Sequence, residues 1–237
     1  MKTKIYQLIE GAKKAEGLVV IIDVFRAFST ACYVSASGAE KIIPVGKIET
    51  AFQLKDENSD FILIGERDGK KLKGFDFGNS PSLIRDVDFK GKTVVHTTSA
   101  GTQGIVKAEK ADEIITGSFV NAGAVAEYIK RKNPEQVSLV SMGTAGVKLA
   151  VEDTLCANYI KGLIEDSFID RQDKMNYQND VIKILRIGNG MRFFDPANKA
   201  WSPSADFQMC LEFEIFDFIL KACNYKNDLT YLKKIKI

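Results

Sequence analysis

Histidine is nearly absent from this chain of 237 residues, since His96 is the only one. Zinc sites built from several histidines, and hydrolases that relay protons through more than one histidine, are therefore disfavoured. Cysteine is also scarce, and the four residues, Cys32, Cys156, Cys210 and Cys223, form no CxxC pair. We expect them to be reduced thiols packed among apolar residues of a cytoplasmic protein.

The chain also lacks a long apolar run and an excess of one charge. Its longest apolar stretch, GLVVIIDVF, is far too short to cross a bilayer, and the first ten residues show no secretory-signal pattern. With 33 basic and 31 acidic residues, the net charge is +2. This balance gives no support to nucleic-acid or membrane binding through bulk charge, so we expect neither partner. The sequence leaves open whether the chain forms a homo-oligomer.

Short apolar runs alternate with helical patterns along the first two thirds of the chain. Runs typical of strands occupy residues 18–23, 41–45, 61–66, 92–98, 113–118 and 136–142. Helical patterns occupy residues 27–37, 48–57, 102–110, 121–132 and 152–164. Such alternation predicts an α/β fold, a three-layer sandwich of helices around a largely parallel or mixed sheet.

After about residue 165 the pattern changes. The sequence from there to residue 225 predicts helical segments joined by a Gly/Asn/Pro-rich loop at 188–205, and LTYLKKIKI at the end predicts a short edge strand. No flexible linker or internal repeat interrupts the chain. We therefore predict one catalytic domain over 1–237 with a more helical C-terminal region. A 1–164 core with a 165–237 lobe is the alternative.

Acidic residues stand at or just after three predicted strands. In a wound α/β sheet, ligands bind outside the carboxyl ends of the strands. Asp23, Glu66, Glu152 and Asp153 have no cysteine or histidine neighbours and are hard oxygen donors, so they suit Mg²⁺ and are the candidate metal ligands. For Glu152 and Asp153 an alternative is that they complement a helix dipole. Asp23 ends a buried strand, where a carboxylate without a partner is costly.

Hydroxyls, glycines and arginines follow the same strand ends. TTSAGT at 97–102 leads into a predicted helix, whose free N–H groups and dipole favour phosphate, although such turns also serve for capping alone. Asn79-Ser80-Pro81 predicts a second helix start aimed at the same anion. Arg26 and Arg67 each follow a strand end and are suited to grip a phosphate, sulfonate or carboxylate, with a surface position as the alternative for either.

Three other features favour structural roles. Asp76 is expected to hold its loop by accepting backbone N–H bonds rather than to bind metal. His96 is expected to be a satisfied core histidine rather than a general acid. Trp201 and the pair Phe193-Phe194 are expected to pack, with capping of a pocket as the alternative.

Four ordered segments resemble the signature segments of the 2-phosphosulfolactate phosphatases. They are DVFRAFST at 23–30, GERDGKKLKGFDFGNSP at 65–81, TTSAGT at 97–102 and ED at 152–153, and the match extends more loosely to Asp206 and Cys210. One departure is Ala100, where the family often has Asn. The resemblance implies a Mg²⁺-dependent phosphatase that hydrolyses 2-phospho-3-sulfolactate, or a related phosphorylated hydroxy acid, to 3-sulfolactate and phosphate, as in coenzyme M biosynthesis.

The predicted site is therefore a phosphomonoester hydrolase site that takes a small phosphorylated or sulfonated anion. Its candidate catalytic residues are Asp23, Arg26, Glu66 and Arg67. Its candidate substrate-binding residues are Ser29, Thr30, Asn79, Ser80, Thr97, Thr98, Ser99, Gly101 and Thr102.

Two questions about this site stay open. Asp23 ends the first strand, as a nucleophilic aspartate does in haloacid-dehalogenase-like phosphatases, but Phe25 breaks their DxD pattern and favours a metal role. The alternative function is a non-catalytic binder or sensor of a small phosphorylated or sulfonated hydroxy acid. In such a protein, the clustered carboxylates would repel each other and the anion.

Overall fold

Ten strands share one mixed sheet in the computed structural model, which describes all 237 residues. The strands are β1 (Lys2–Gln7), β2 (Gly17–Ile22), β3 (Lys41–Pro44), β4 (Ile62–Arg67), β5 (Lys70–Lys71), β6 (Thr93–Thr97), β7 (Ala111–Gly117), β8 (Gln136–Ser141), β9 (Phe218–Asn224) and β10 (Thr230–Lys236). The helices are α1 (Leu8–Ala12), α2 (Ala27–Ala36), α3 (Ile48–Glu57), α4 (Gly101–Lys107), α5 (Ala122–Lys132), α6 (Val151–Ile164), α7 (Arg171–Ile187) and α8 (Ser204–Cys210). Short 3₁₀ turns occupy Phe119–Asn121, Asn189–Phe193 and Pro196–Asn198.

Strand β2 shows why the chain folds into three layers. Successive side chains of a strand point to opposite faces of the sheet. Val20 and Ile22 pack in one apolar cluster with residues of α5 and α6, whereas Val19 and Ile21 pack in another with residues of α2 and α4. A strand that is covered on both faces needs a continuous apolar run, as in GLVVII. The predicted α/β sandwich is confirmed.

The order of the sheet is β1-β8-β2-β7-β9-β10-β3-β6-β4-β5. The pairs β1–β8, β8–β2 and β2–β7 are parallel, as are β3–β6 and β6–β4. The antiparallel hairpin of β9 and β10 joins these two parallel groups, pairing with β7 on one side and β3 on the other. The prediction of a terminal edge strand is therefore wrong, because β10 lies inside the sheet.

The lysines of β10 explain that error. Lys233 and Lys234 are exposed and resemble the charges that protect edge strands, but Leu232 is buried and pairs with Ile42 of β3. Strand β9 lies in a region predicted to be helical, and its Ile219 is fully buried. The predicted helical character of the C-terminal region holds for α7 and α8.

Both parallel groups direct their carboxyl ends toward one place, although three antiparallel pairings separate β7 from β3 in the ladder. An odd number of such pairings reverses strand direction. Sheet twist, however, amounts to about 20–25° per step and turns the strands by roughly 100–125° across the five steps from β2 to β6. The twist offsets much of the reversal.

None of the helices combines the length and the hydrophobicity needed to span a bilayer.

Candidate active site

A cavity of about 200 Å³ lies beyond the carboxyl ends of β2, β4, β6 and β8. Seven residues proposed from the sequence line it: Asp23, Arg26, Glu66, Asn79, Ser99, Glu152 and Asp153. The other lining residues come from neighbouring turns and from the segment after α7: Phe25, Asp68, Gly69, Ala100, Gly143, Thr144, Ala145, Arg192 and Trp201. A water molecule takes about 30 Å³ of liquid volume, so this space suits a small molecule rather than a polymer.

Asp23 follows β2 and is 7% exposed. Its Oδ1 accepts a hydrogen bond from the backbone N–H of Ala27, 3.1 Å away, at the start of α2. The pKa of Asp23 is raised to about 7, mainly by burial and in part by the negative charges of Glu66 and Glu152. The carboxylates of this cavity are thus close enough to repel one another.

Gly101 has a steric role beside Asp23. A Cβ built on Gly101 would lie 2.9 Å from Oδ2 of Asp23 and 2.8 Å from Cβ of Ala27. Only glycine lets the first turn of α4 come this close to the end of β2. Gly101 itself does not line the cavity.

Glu66 joins two turns. Its Oε1 accepts from the backbone N–H of Ser99 and its Oε2 from that of Gly69, each at 2.7 Å. The N–H of Ser99, which the sequence predicted to be available to a phosphate, is thus bound by the protein's own carboxylate.

The threonines of the same turn bind each other. The backbone N–H of Thr98 donates to Oγ1 of Thr102, and the N–H of Thr102 donates to Oγ1 of Thr98. Thr97 accepts at Oγ1 from Arg67. None of these three threonines lines the cavity. Thr98 accepts from an N–H in the first turn of α4, in agreement with the capping alternative, whereas Thr97 binds Arg67.

Glu152 and Asp153 lie in the first turn of α6 and both reach the cavity. Asp153 bridges two strand ends, because its Oδ1 accepts from the N–H of Val24 and its Oδ2 from that of Gly143, both at 2.8 Å. Burial, followed by the charge of Asp23, raises the pKa of Asp153 well above its usual value. Glu152 accepts at Oε2 from the side-chain amide of Asn189 at 2.7 Å, and burial raises its pKa too.

The four predicted metal ligands do not form a ready-made cage. No group of three or more carboxylate, imidazole or thiol side chains is placed to hold an ion by itself. Magnesium usually takes only one or two protein carboxylates and fills its remaining positions with water and substrate oxygens.

Arg26 is buried and has several partners within the protein. Its Nη1 donates to Oδ2 of Asp206 and to the carbonyl of Trp201, both at 2.6 Å, and its Nη2 donates to the carbonyl of Gly69 at 2.9 Å. Most of the donors expected to grip the substrate are thus used to join the walls of the cavity.

The predicted helix start at Asn79-Ser80-Pro81 is wrong, since turns follow Pro81. Asp206 binds this segment in place of a substrate anion, because its Oδ1 accepts hydrogen bonds from the hydroxyls of Ser80 and Ser82, both at 2.7 Å. Asn79 does line the cavity, and its Oδ1 lies 3.2 Å from Nε2 of His96.

Three further predicted residues lie away from the cavity. Arg67 donates to the carbonyl of Glu66 as well as to Thr97, because the end of β4 directs it to the opposite side of the strand. Ser29 donates to the carbonyl of Val24 at 2.9 Å, and Thr30 is buried within α2.

His96 and Asp76 have the expected structural positions. His96 is 2% exposed, and burial lowers its pKa to about 4, so that the ring is neutral near pH 7. The prediction of a core histidine is confirmed. Asp76 accepts a hydrogen bond from the backbone N–H of Leu63 at 2.7 Å, as predicted for a loop-holding residue.

Arg192 is the functional candidate that sequence reasoning missed. It lines the cavity, donates to the carbonyl of Phe25 at 3.0 Å and packs over the ring of Phe193. No carboxylate lies within 4.0 Å of its guanidinium, in contrast to Arg26. Because it follows no strand, the sequence offered no signal beyond an arginine in a glycine-rich loop. Its uncommitted donors suit an anion in the cavity.

Comparisons with known proteins agree with this chemistry. The family described as 2-phosphosulpholactate phosphatase matches residues 3–225. A protein of Caldanaerobacter subterraneus named "Probable 2-phosphosulfolactate phosphatase" is 32% identical over 92% of this chain and 93% of its own length. Proteins of the same name from Caldicellulosiruptor saccharolyticus and Thermotoga maritima are 35% and 45% identical, over 90% and 60% of both chains respectively.

The α/β fold, the small carboxylate-lined cavity and these relatives together define a phosphoric monoester hydrolase. The chain belongs to the 2-phosphosulpholactate phosphatase family.

Proposed function

We propose that this protein is a Mg²⁺-dependent phosphatase that hydrolyses 2-phospho-3-sulfolactate, or a closely related phosphorylated hydroxy acid, to the free hydroxy acid and phosphate. One observation carries the proposal. A single small cavity is lined by buried carboxylates and also by Arg192, an arginine without an ion-pair partner. An anion alone would be repelled by the carboxylates, and a cation alone would leave Arg192 unused.

The carboxylates fit a divalent cation. Asp23 and Glu152 have raised pKa values because they are buried, and the charge of Glu152 adds to the shift of Asp23. A cation between them would relieve this repulsion, so Asp23 and Glu152 are the residues that would hold Mg²⁺, with Glu66 next to them. When bound, the ion would neutralise charge on the transferring phosphoryl group.

The remaining groups would bind and orient the substrate. Arg192 would hold a phosphate, carboxylate or sulfonate oxygen through its free donors. Glu66 is kept in one orientation by two backbone N–H groups, so it could orient the attacking water without losing its own geometry. Arg26 would act indirectly, by keeping Gly69 and Trp201 in place around the cavity.

Coenzyme M biosynthesis is the pathway in which the proposed reaction would serve, and the proposed location is the cytoplasm. All four cysteines are free thiols, and three of them are buried, which agrees with a reducing compartment.

Phosphate release from 2-phospho-3-sulfolactate and from 2-phospholactate tests the proposal. We expect turnover with Mg²⁺, loss of turnover with EDTA, recovery when Mg²⁺ is restored, and loss in Asp23→Asn. The matched control is Asp180→Asn, which removes an exposed carboxylate on α7. Full activity in EDTA would remove the metal from the proposal. Binding of either compound with no phosphate release over hours would support a binder or sensor instead.

A further inference from the structure

A second cavity, of about 230 Å³, adjoins the catalytic cavity. The two share three wall residues, Gly69, Asn79 and Trp201. Beyond this wall, the second cavity is lined by the apolar side chains of Phe77, Leu83 and Ala200, together with Lys71. Asp76 and Ser80 also line it, but no arginine does. The charged groups have partners within the protein, since Asp76 accepts from the N–H of Leu63 and Lys71 donates to the carbonyl of Phe75. The remaining apolar surface suits an uncharged chain rather than a phosphate.

Two of the three wall residues touch each other, since the indole of Trp201 lies against the backbone of Gly69. A Cβ on Gly69 would lie only 2.6 Å from Cζ3 of Trp201, so the ring rests directly on the glycine. Gly69 also has a φ of +79°, a conformation that glycine adopts most readily. Any other residue at position 69 would push the indole away.

Hydrogen bonds to the backbone of both residues hold this contact in place. Arg26 donates one hydrogen bond to the carbonyl of Trp201 and another to that of Gly69. Glu66 accepts from the N–H of Gly69. Because none of these bonds uses the indole, shortening the side chain of Trp201 leaves the backbone anchors of the wall in place.

We propose that Trp201 determines substrate specificity by closing the catalytic cavity toward the second one, which limits the enzyme to short-chain phosphorylated hydroxy acids. This inference rests on the proposed phosphatase function. Without the indole the two cavities join, and the carbon chain of a longer 2-phosphorylated hydroxy acid gains a place beside Phe77 and Leu83. The phosphoryl group would stay among the carboxylates and Arg192.

The test compares Trp201→Ala with the unmodified protein on two substrates, 2-phosphorylated hydroxy acids with a methyl or with an unbranched butyl side chain. One methylene in an apolar pocket changes kcat/KM by about tenfold or more, so we expect the butyl-to-methyl ratio of kcat/KM to rise by at least about tenfold in the variant. We expect the rise in this ratio to come from a lower KM for the butyl substrate. Competition by the dephosphorylated butyl acid measures the same change without turnover.

Two further variants keep the result interpretable. Trp201→Phe retains a ring against Gly69 and is expected to give an intermediate butyl-to-methyl ratio of kcat/KM. This variant also tests the inference if the alanine variant does not fold. Leu83→Ala enlarges the second cavity without opening the wall, and its ratio is expected to stay unchanged. A folded Trp201 variant with the ratio of the unmodified protein would overturn the inference. Absence of turnover by the unmodified protein on both the methyl substrate and 2-phospho-3-sulfolactate would instead refute the proposed function.

Discussion

Nη1 of Arg26 lies 2.6 Å from Oδ2 of Asp206, and both side chains are buried. The two residues are 180 positions apart in the chain. Through this pair, α8 is fastened to the turn that follows β2 and carries Asp23. Asp206 also binds Ser80 and Ser82, so one carboxylate joins three segments around the cavity. The region after residue 165 is therefore part of the site and supplies Asn189, Arg192 and Trp201 to it.

Asp206→Ala is expected to destabilise the protein by about 3–5 kcal/mol, because it leaves the guanidinium of Arg26 buried without its counter-charge. Urea unfolding at pH 7 measures the change. The matched control is Asp180→Ala, which breaks the exposed pair with Lys183 and is expected to cost about 0–1 kcal/mol. Equal losses in the two variants would contradict a central role for the buried pair.

Arg192→Gln is expected to raise KM and to lower kcat/KM by roughly 10–100-fold, the equivalent of the 1.5–3 kcal/mol that hydrogen bonds to charged groups contribute. Steady-state kinetics on 2-phospholactate provide the measurement. Arg186→Gln is the control, since Arg186 lies near the end of α7, packs over Phe194 and does not line the cavity. If both variants kept the KM of the unmodified protein, Arg192 would not contact the substrate.

The raised pKa of Asp23 predicts how stability depends on pH when no cation is bound. The unfolded chain ionises Asp23 near its usual pKa of about 3.9, whereas the folded chain retains the proton until about pH 7. The folded state therefore binds more protons in this window, and stability falls by about 1.4 kcal/mol per pH unit as pH rises through it. Asp23→Asn is expected to remove this part of the slope.

Mg²⁺ is expected to reverse that loss by stabilising the ionised carboxylates. Its addition therefore raises the melting temperature more at pH 8 than at pH 5, as measured by differential scanning fluorimetry, while Na⁺ at equal ionic strength does not. The same Mg²⁺-induced shift at both pH values would show that Asp23 does not take part in binding.

Asp153→Asn is expected to lower stability by about 1–3 kcal/mol, because an amide accepts from only one of the two buried N–H groups of Val24 and Gly143. Since Val24 follows Asp23, we also expect kcat to fall while the KM for substrate stays close to its original value. Asp166→Asn, which alters the exposed pair with Lys130, is the control for both measurements. A kcat equal to that of the unmodified protein would show that this bridge does not position Asp23.

Local sequence patterns predicted many of the individual helices and strands. The helix predicted over 48–57 has those bounds in the structure, and the run LVVIID predicted at 18–23 corresponds to β2. The same reasoning placed Asp23 and Glu66 at strand ends and Glu152 and Asp153 at a helix start, and all four line one cavity. It did not find Arg192, because an arginine in a loop after a helix has no periodic pattern that indicates where it points.

Side-chain pairing was much harder to predict than position. Thr98 and Thr102 follow a strand, as a phosphate-binding turn requires, yet they bind each other, and the N–H of Ser99 binds Glu66. Of the two predicted arginines, Arg26 is paired with Asp206 and Arg67 lies outside the cavity.

The order of residues by itself determined most of the helices and strands, because hydrophobic period and turn residues act over a few positions. Only the tertiary structure decided that β9 and β10 lie between two parallel groups of strands and which polar groups remain free for a substrate. A hydrogen bond depends on which donor and acceptor end up within about 3 Å of each other. For Arg26 and Asp206, that proximity is set by packing across the whole molecule.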